Sequence, residues 1–448
     1  MILEAEWVLP ITEAPINDGA VRVADGEIVD LGLAQDLRAR YPQEEFTNFH
    51  HAVLLPGFVN VHSHLEYSVF RGMFDDSSFD QWLLRFIVAK RKMGPVEYRD
   101  SAMLGAMECV GSGITSLGEI LVDGEASLAA VKALGMRGAA FLEVVGMDDT
   151  KIPAIMGRVD ERMDRLQAEA SSLVTLGVSP HAPYTVSGSL YRALSEYCIE
   201  RRLKLSTHVA ESKSEVTFVR NGAGVLAHDF RELVGWDDLM WMPTGSSPVK
   251  YLEQWGVYSA DVLAVHCVQV TPADIELLKK YDLAIAHCPK SNAKLGCGIA
   301  PIGDFVSAGL RVGLGTDSLA SNNVLDMFGE MRVAIMLHRA SAMDSSWLTA
   351  RQVLEMATLG GARVLGVGDQ VGSIEPGKRA DLIAVDVEYS HFSPIDDPVS
   401  AVVYGGNQED VFFTMIDGRI VYNKKVFQTV DEGEITRRAQ EARVKLRQ

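Results

Sequence analysis

Between about residue 53 and residue 367 the chain alternates short, apolar, strand-like runs with helix-length segments, and it does so eight times. Strands that are apolar throughout belong in a sheet covered on both faces, and the helices between them make the crossovers that parallel neighbours need. The eight runs are Leu54 to His62, Gly113 to Glu119, Arg137 to Val145, Val174 to His181, Leu203 to His208, Asp261 to His266, Asp282 to His287 and Arg311 to Asp317. Eight such repeats over about 315 residues predict an α/β fold, a (β/α)8 TIM barrel with insertions, rather than an open doubly wound sheet. The longest insertion, roughly Leu65 to Asp100, follows the first strand and is placed to fold over the barrel mouth as a lid. A second long connection, around His228 to Ala260, precedes the sixth strand.

The chain ends read differently. Residues 1–52 carry short strand signals broken by Asn17-Asp-Gly and Ala24-Asp-Gly turns, and a related texture returns in residues 368–448 around Asp417-Gly418. Segments from the two termini can pair, so these ranges predict a small composite β-sandwich domain formed by both chain ends, flanking a barrel of residues 53–367. The stretch from Glu432 onward is charged and periodic enough for an exposed helix.

Charge and cysteine content bear on partners and compartment. With 60 acidic against 42 basic residues the formal charge is −18, a field that repels phosphate backbones and anionic lipids, so neither nucleic acid nor membrane is expected as a partner. The five cysteines, Cys109, Cys198, Cys267, Cys288 and Cys297, form no C-x-x-C pair and are odd in number, which suits a reducing compartment. The opening Met1-Ile-Leu-Glu-Ala-Glu lacks the basic region of an export signal, and no run approaches the roughly 18 apolar residues of a membrane span. A cytoplasmic enzyme is the expectation, with a homodimer as the default assembly.

Six of the eleven histidines, His62, His64, His181, His208, His266 and His287, fall at or just past the C-terminal ends of the predicted strands. A barrel enzyme carries its chemistry on that face. One such histidine is more often a core residue than a ligand; six together are not explained that way. In His62-Ser63-His64 the two imidazoles are two apart on a strand and point to the same side. His208 and Asp317 end the fifth and eighth strands, adding a third imidazole and a carboxylate at the same mouth. Three histidines and one aspartate around an open position make a catalytic site for zinc or another divalent transition ion, iron included. Glu211, three residues past His208, is placed as the acid/base that deprotonates the water and protonates the leaving group. His266 is the candidate to orient the nucleophile, and Asp317 is a candidate for both ligand and proton acceptor. Competing motifs fail. Gly372 to Arg379 has Arg where a phosphate loop needs Ser or Thr, and H-E-x-x-H, H-x-E with P-C-x-x-C, and G-x-S-x-G do not occur.

Taken in order, Pro56-Gly-Phe-Val-Asn-Val-His62-Ser-His64, Ser179-Pro-His181-Ala-Pro-Tyr184, Thr207-His208-Val-Ala-Glu211-Ser, Val265-His266-Cys, His287-Cys-Pro-Lys-Ser-Asn292, Leu314-Gly-Thr-Asp317-Ser and Gly372-Ser-Ile-Glu-Pro-Gly-Lys-Arg-Ala-Asp381 resemble the amidohydrolase superfamily across nearly the whole chain. They are most similar to its aminohydrolase branch, which holds the S-adenosylhomocysteine, methylthioadenosine and aminodeoxyfutalosine deaminases and the triazine hydrolases. The resemblance implies one divalent metal ion per subunit, zinc ahead of iron, on His62, His64, His208 and Asp317, with Glu211 as acid/base and His266 orienting the water. It implies attack on the amino-bearing carbon of a purine-like ring while Glu211 protonates the adjacent ring nitrogen and ammonia leaves. It also places His181 on the substrate and Ser321 near the nucleoside.

Within the branch, Glu66 after H-x-H, Phe141-Leu-Glu143, Ala182 to Ser187, Ser247-Pro248-Val249, Asp317 to Ser321 and Lys290 look most like the aminodeoxyfutalosine deaminases of menaquinone biosynthesis. That implies 6-amino-6-deoxyfutalosine as substrate, with S-adenosylhomocysteine, methylthioadenosine, 5′-deoxyadenosine or a halogenated triazine as alternatives. Glu66 is then a candidate for a ribose hydroxyl, and Lys290, Arg71 or Arg85 for a substrate carboxylate, against the alternative of a surface ion pair or a structural brace for each. Trp82 is either a lid aromatic that stacks on substrate or the anchor that packs its helix onto the barrel.

Overall fold

The computed structural model describes residues 1–447. Eight strands follow one another in chain order around a parallel sheet: Phe58–Ser63, Ile114–Leu121, Arg137–Val144, Val174–Pro180, Lys204–Val209, Asp261–His266, Ala284–His287 and Arg311–Leu314. The first and last meet at a seam, where Ser63 bridges to Asp317 in parallel fashion and the Asp317 N–H donates to the His62 carbonyl at 3.0 Å. Closure at this seam is what brings the H-x-H motif beside the aspartate from the far end of the barrel. Inward-pointing Val59, Val61, Phe141, Leu263, Val265 and Ala286 fill the interior, as the alternation of side chains along each strand requires.

One expected strand is two. Leu54 to His62 breaks at Pro56-Gly57: Ala52–Pro56 pairs with Ile2–Val8 and Leu382–Asp386 in another sheet, and only Phe58–Ser63 enters the barrel. Proline cannot donate to a ladder. The Gly57 N–H turns to the Asp381 carbonyl at 2.9 Å, and a Cβ on Gly57 would lie 2.2 Å from the Thr115 side chain, so the corner requires glycine.

The terminal segments form a single mixed sheet of nine strands. Its order is Val426–Phe427, Arg419–Asn423, Val411–Ile416, Leu382–Asp386, Ala52–Pro56, Ile2–Val8, Ile16–Ala24 and Glu27–Leu33, with Phe46–Asn48 paired to Ile2–Val8 off that path. The expected sandwich is thus one hydrogen-bonded sheet, joined where Leu382–Asp386 runs antiparallel to Ala52–Pro56. Leu3, Val21, Ile28, Leu54, Leu382 and Phe413 form its apolar cluster. Arg137, at the base of the third barrel strand, locks it to the barrel through 3.0 Å ion pairs with Asp381 and Asp417.

The insertion after the first strand contains a 3-10 turn, Leu65–Phe70, and the helices Phe79–Lys90 and Pro95–Gly111. The C-terminal helix Glu432–Arg447 packs onto this insertion rather than remaining fully exposed. Ala439, Ala442 and Leu446 are buried with Phe70, Phe74 and Phe86, while Arg438 and Lys445 pair with Asp100 and Glu97. Among the described residues no helix is long and apolar enough to cross a membrane.

Candidate active site

Side-chain donors from four strand ends gather at the C-terminal mouth around His62. His62 Nε2 lies 3.2 Å from His208 Nε2 and 3.6 Å from Asp317 Oδ1, and His64 Nε2 lies 3.5 Å from that same oxygen. A tetrahedral cation with bonds of about 2.0–2.1 Å holds its ligand atoms about 3.3–3.4 Å apart, and these three separations are near that; His62, His64 and Asp317 form one close triad, which His208 joins through its contact with His62. The donor chemistry fits too. Burial, reinforced by neighbouring imidazoles, holds His64 and His208 well below the usual histidine range, leaving lone pairs free. The His208 Nδ1 donates to the His181 carbonyl at 2.8 Å, which turns Nε2 toward the cluster. Burial alone would raise the Asp317 carboxyl, but His62 and the other facing imidazoles outweigh it and hold the group well below the carboxylate range. His62, His208 and His266 form a second, overlapping triad of close nitrogens.

The strand ends here bend sharply. His266 and Asp317 sit at φ 71° and 58°, a left-handed backbone that costs a non-glycine residue about 1–3 kcal/mol and is found where function fixes a side chain's aim. Asn292 Oδ1 accepts from His266 Nδ1 at 2.9 Å, so Nε2 faces Glu211 Oε1 at 3.7 Å as a neutral acceptor; burial lowers His266 to about 4. Glu211 is buried. Burial first, then the charges of Asp317 and Glu215, pushes its carboxyl well above the usual range. Its backbone is pinned by Glu215, whose oxygens accept from the Ala210 and Glu211 N–H groups at 2.8 and 2.9 Å, while Ser212 caps the helix that carries Glu215.

Above these groups lies a cavity of about 220 Å³. Trp82, Leu83, Phe86, Ile87 and Lys90 of the lid helix form one side, a stripe at helical spacing. His181, Tyr184, Phe230 and Trp236 form much of the other. Trp82 lines the cavity and is also pinned, stacking on Phe86 at 5.3 Å and donating Nε1 to the Ala320 carbonyl at 3.1 Å. Among the described residues, Lys90 is the one lysine or arginine on the cavity wall. Its ammonium lies 3.8 Å from Glu143 and 5.0 Å from the Tyr67 ring centre.

Other candidates from the sequence lie elsewhere. The Glu66 carboxylate is fully buried behind the wall and accepts the N–H groups of Val122, Asp123 and Gly124 at 2.7–3.0 Å, so it is not available to a ribose. Arg71 pairs with Glu108 on the surface, Arg85 bonds Ser77 and the Met73 carbonyl on the outer side of the lid, and Lys290 lies 3.7 Å from the buried Glu330. None of the three lines the cavity. Ser321 lies behind Asp317, donating to Oδ2 at 2.7 Å. His287 forms a buried pair with His338. The sequence assigned no role to Lys90, Glu143, Ser291 or Asn292, though the last three stand in the quoted motifs. The first two had a signal, the stripe Trp82, Phe86, Lys90 and a glutamate ending the third strand.

Known proteins resemble this chain in sequence and in fold. The sequence matches the amidohydrolase family over residues 53–421. It is 33% identical over 425 residues to the 5-methylthioadenosine/S-adenosylhomocysteine deaminase of Syntrophobacter fumaroxidans, covering 94% of this chain and 92% of that one. Identity to the 5′-deoxyadenosine deaminase of Methanobrevibacter smithii is 33% over 394 residues, covering 87% and 86%. Of solved structures, an adenosine deaminase from Xanthomonas campestris with bound zinc superposes with a TM-score of 0.86 at 29% identity, covering 100% and 98%. The Helicobacter pylori aminofutalosine deaminase does so with a TM-score of 0.77 at 25% identity, covering 94% and 99%. With the barrel, the converging donor set and a family match over most of its length, the chain belongs to the amidohydrolase family.

Proposed function

We propose that this chain is a metal-dependent hydrolytic deaminase of adenine nucleosides, holding one divalent ion, zinc ahead of iron, on His62, His64, His208 and Asp317. The observation that carries the reading is the donor set beside Glu211 and His266 at the floor of an aromatic-walled cavity. When bound, the ion supplies Lewis acidity and a nucleophile at neutral pH. The chain's own groups do the rest. Glu211, whose carboxyl burial holds well above the usual range, gives a proton to the ring nitrogen next to the amino-bearing carbon as water adds there. Glu211, now a carboxylate, takes a proton back from the added water, and the remaining hydroxyl proton passes to the amino group as the C–N bond breaks, so water enters and ammonia departs. His266, its tautomer set by Asn292, accepts a hydrogen bond from the attacking water and orients it. Trp82, Phe86 and Tyr184 stack on the base and exclude bulk water.

The favoured substrate is 6-amino-6-deoxyfutalosine, converted to futalosine in menaquinone biosynthesis. Lys90 supports this, because a carboxylated 5′ substituent needs a cation on the cavity wall. The second reading, a 5′-methylthio, S-adenosylhomocysteine or 5′-deoxy nucleoside, is supported by the relatives' activities and by the apolar Leu83, Ile87, Phe230 and Val234. The test is ammonia release, with loss of adenine absorbance, across adenosine derivatives that differ at the 5′ position. Inertness toward all of them with one metal ion bound per chain, or chloride release from a halogenated triazine instead, overturns the deaminase reading. Turnover of only the uncharged members selects the second substrate class.

A further inference from the structure

The two oxygens of Asp317 have different surroundings. Oδ1 faces the His62 and His64 nitrogens. Oδ2 turns away and accepts two hydroxyl hydrogen bonds, from Ser291 at 2.6 Å and Ser321 at 2.7 Å. Both serines are fully buried, and neither lines the substrate cavity. They come from different directions: Ser291 from the short helix Pro289–Lys294 after the seventh strand, Ser321 from the turn after Asp317. Ser321 is itself held, its N–H donating to Ser318 Oγ at 3.2 Å and its hydroxyl lying 3.1 Å from that oxygen.

An aspartate's terminal torsion is broad and nearly two-fold, so an unrestrained carboxylate swings easily between one-oxygen and two-oxygen contact with a cation. Two hydroxyl donors on a single oxygen remove that freedom. Each is a charge-assisted bond, and together they occupy the lone pairs with which Oδ2 would bind a metal. A catalytic centre needs one position left open for the nucleophile, and a second carboxylate oxygen would fill it. We propose that Ser291 and Ser321 are positioning residues that restrict Asp317 to one-oxygen binding of the cation and so keep that position open. This rests on the reading of the cluster as a metal centre, not on the identity of the substrate.

The test substitutes cobalt(II) for the native ion in the full-length wild type, Ser291→Ala, Ser321→Ala and the double variant. It reads the visible absorbance, which weakens as coordination number rises, together with kcat and KM for the best nucleoside substrate. The double variant is expected to lose cobalt band intensity and about 10–100-fold in kcat, with KM within about twofold, since neither hydroxyl touches the substrate pocket. Ser321→Thr, which keeps the hydroxyl, is expected to restore the spectrum, and it separates loss of the bond from a folding defect. An unchanged cobalt spectrum in the double variant overturns the proposal even if activity falls. A rise in KM alone on Ser321→Ala also overturns it, because it makes that serine a substrate contact. Failure of the wild type to bind cobalt refutes the metal centre itself. Failure to deaminate any nucleoside leaves the spectroscopic readout intact.

Discussion

Replacing Lys90 by methionine removes the cavity's cation while keeping an unbranched stem over the Tyr67 ring. A substrate carboxylate about 4 Å from the ammonium gains roughly 4 kcal/mol of gross attraction at an effective dielectric near 20. Two features of the structure reduce that figure. The Lys90 side chain is 24% exposed, and it already sits 3.8 Å from Glu143, so an incoming carboxylate competes with an existing partner. A net gain of about 1–1.5 kcal/mol remains, which is roughly tenfold in binding. Lys90→Met is therefore expected to raise KM about tenfold for a nucleoside with a carboxylated 5′ group and to leave KM for 5′-deoxyadenosine within about twofold. Glu143→Gln, which frees the ammonium, is expected to lower KM for the acidic substrate. Steady-state ammonia release with both substrates reads the difference. Equal changes for the two refute the assignment of charge recognition to Lys90. A selective effect of Arg71→Met or Lys290→Met would refute the cavity lining as the guide to specificity.

Three further outcomes follow from buried charges. Glu66→Gln is expected to lower the melting temperature by several degrees without changing KM, because it weakens charge-assisted bonds to Val122, Asp123 and Gly124 and touches no substrate; thermal denaturation beside kinetics checks this. Arg137→Leu leaves the buried Asp381 carboxylate without its partner and is expected to cost about 3–5 kcal/mol in denaturant unfolding, a loss at the base of the barrel far from the chemistry. Glu330 has its carboxyl raised to about 7 by burial, only partly offset by the charge of Lys290. From the ordinary value of 4.5 up to about 7 the folded chain keeps this proton and the unfolded chain has lost it. The unfolded state thus binds fewer protons, and stability falls as pH rises through that window. Melting curves from pH 5 to 8 should show the wild type losing ground to Glu330→Gln; a constant difference would place the Glu330 pKa elsewhere.

Much of the site was legible in the sequence because it depends on short-range geometry. A period of two puts His62 and His64 on the same side of a strand, and strand ends in a parallel barrel share one face, so His208, His266 and Asp317 had to gather with them. Glu211 followed from its place just beyond His208. The split at Pro56-Gly57 carried a signal in proline's missing donor, but which sheet Ala52–Pro56 joins depends on Leu382–Asp386, far along the chain.

The substrate-facing shell was harder to read, because a side chain's direction on a loop or short helix is set by what packs against it. Lys290, Ser291 and Asn292 are consecutive on one turn of helix. Lys290 turns away from the cavity to the buried Glu330, while Ser291 and Asn292 turn to Asp317 and His266. Glu66 looks like a pocket acid until the Val122–Gly124 backbone closes around it. Lys90 looks like an ordinary lid lysine until its helix crosses the mouth and sets it against Glu143. By itself the sequence determined the barrel, its reactive face and which histidines and carboxylates meet there, since these rest on backbone periodicity and strand direction. Only the tertiary structure decided which charges enter the cavity and which hydroxyls hold Asp317, because those depend on contacts between segments far apart in the chain.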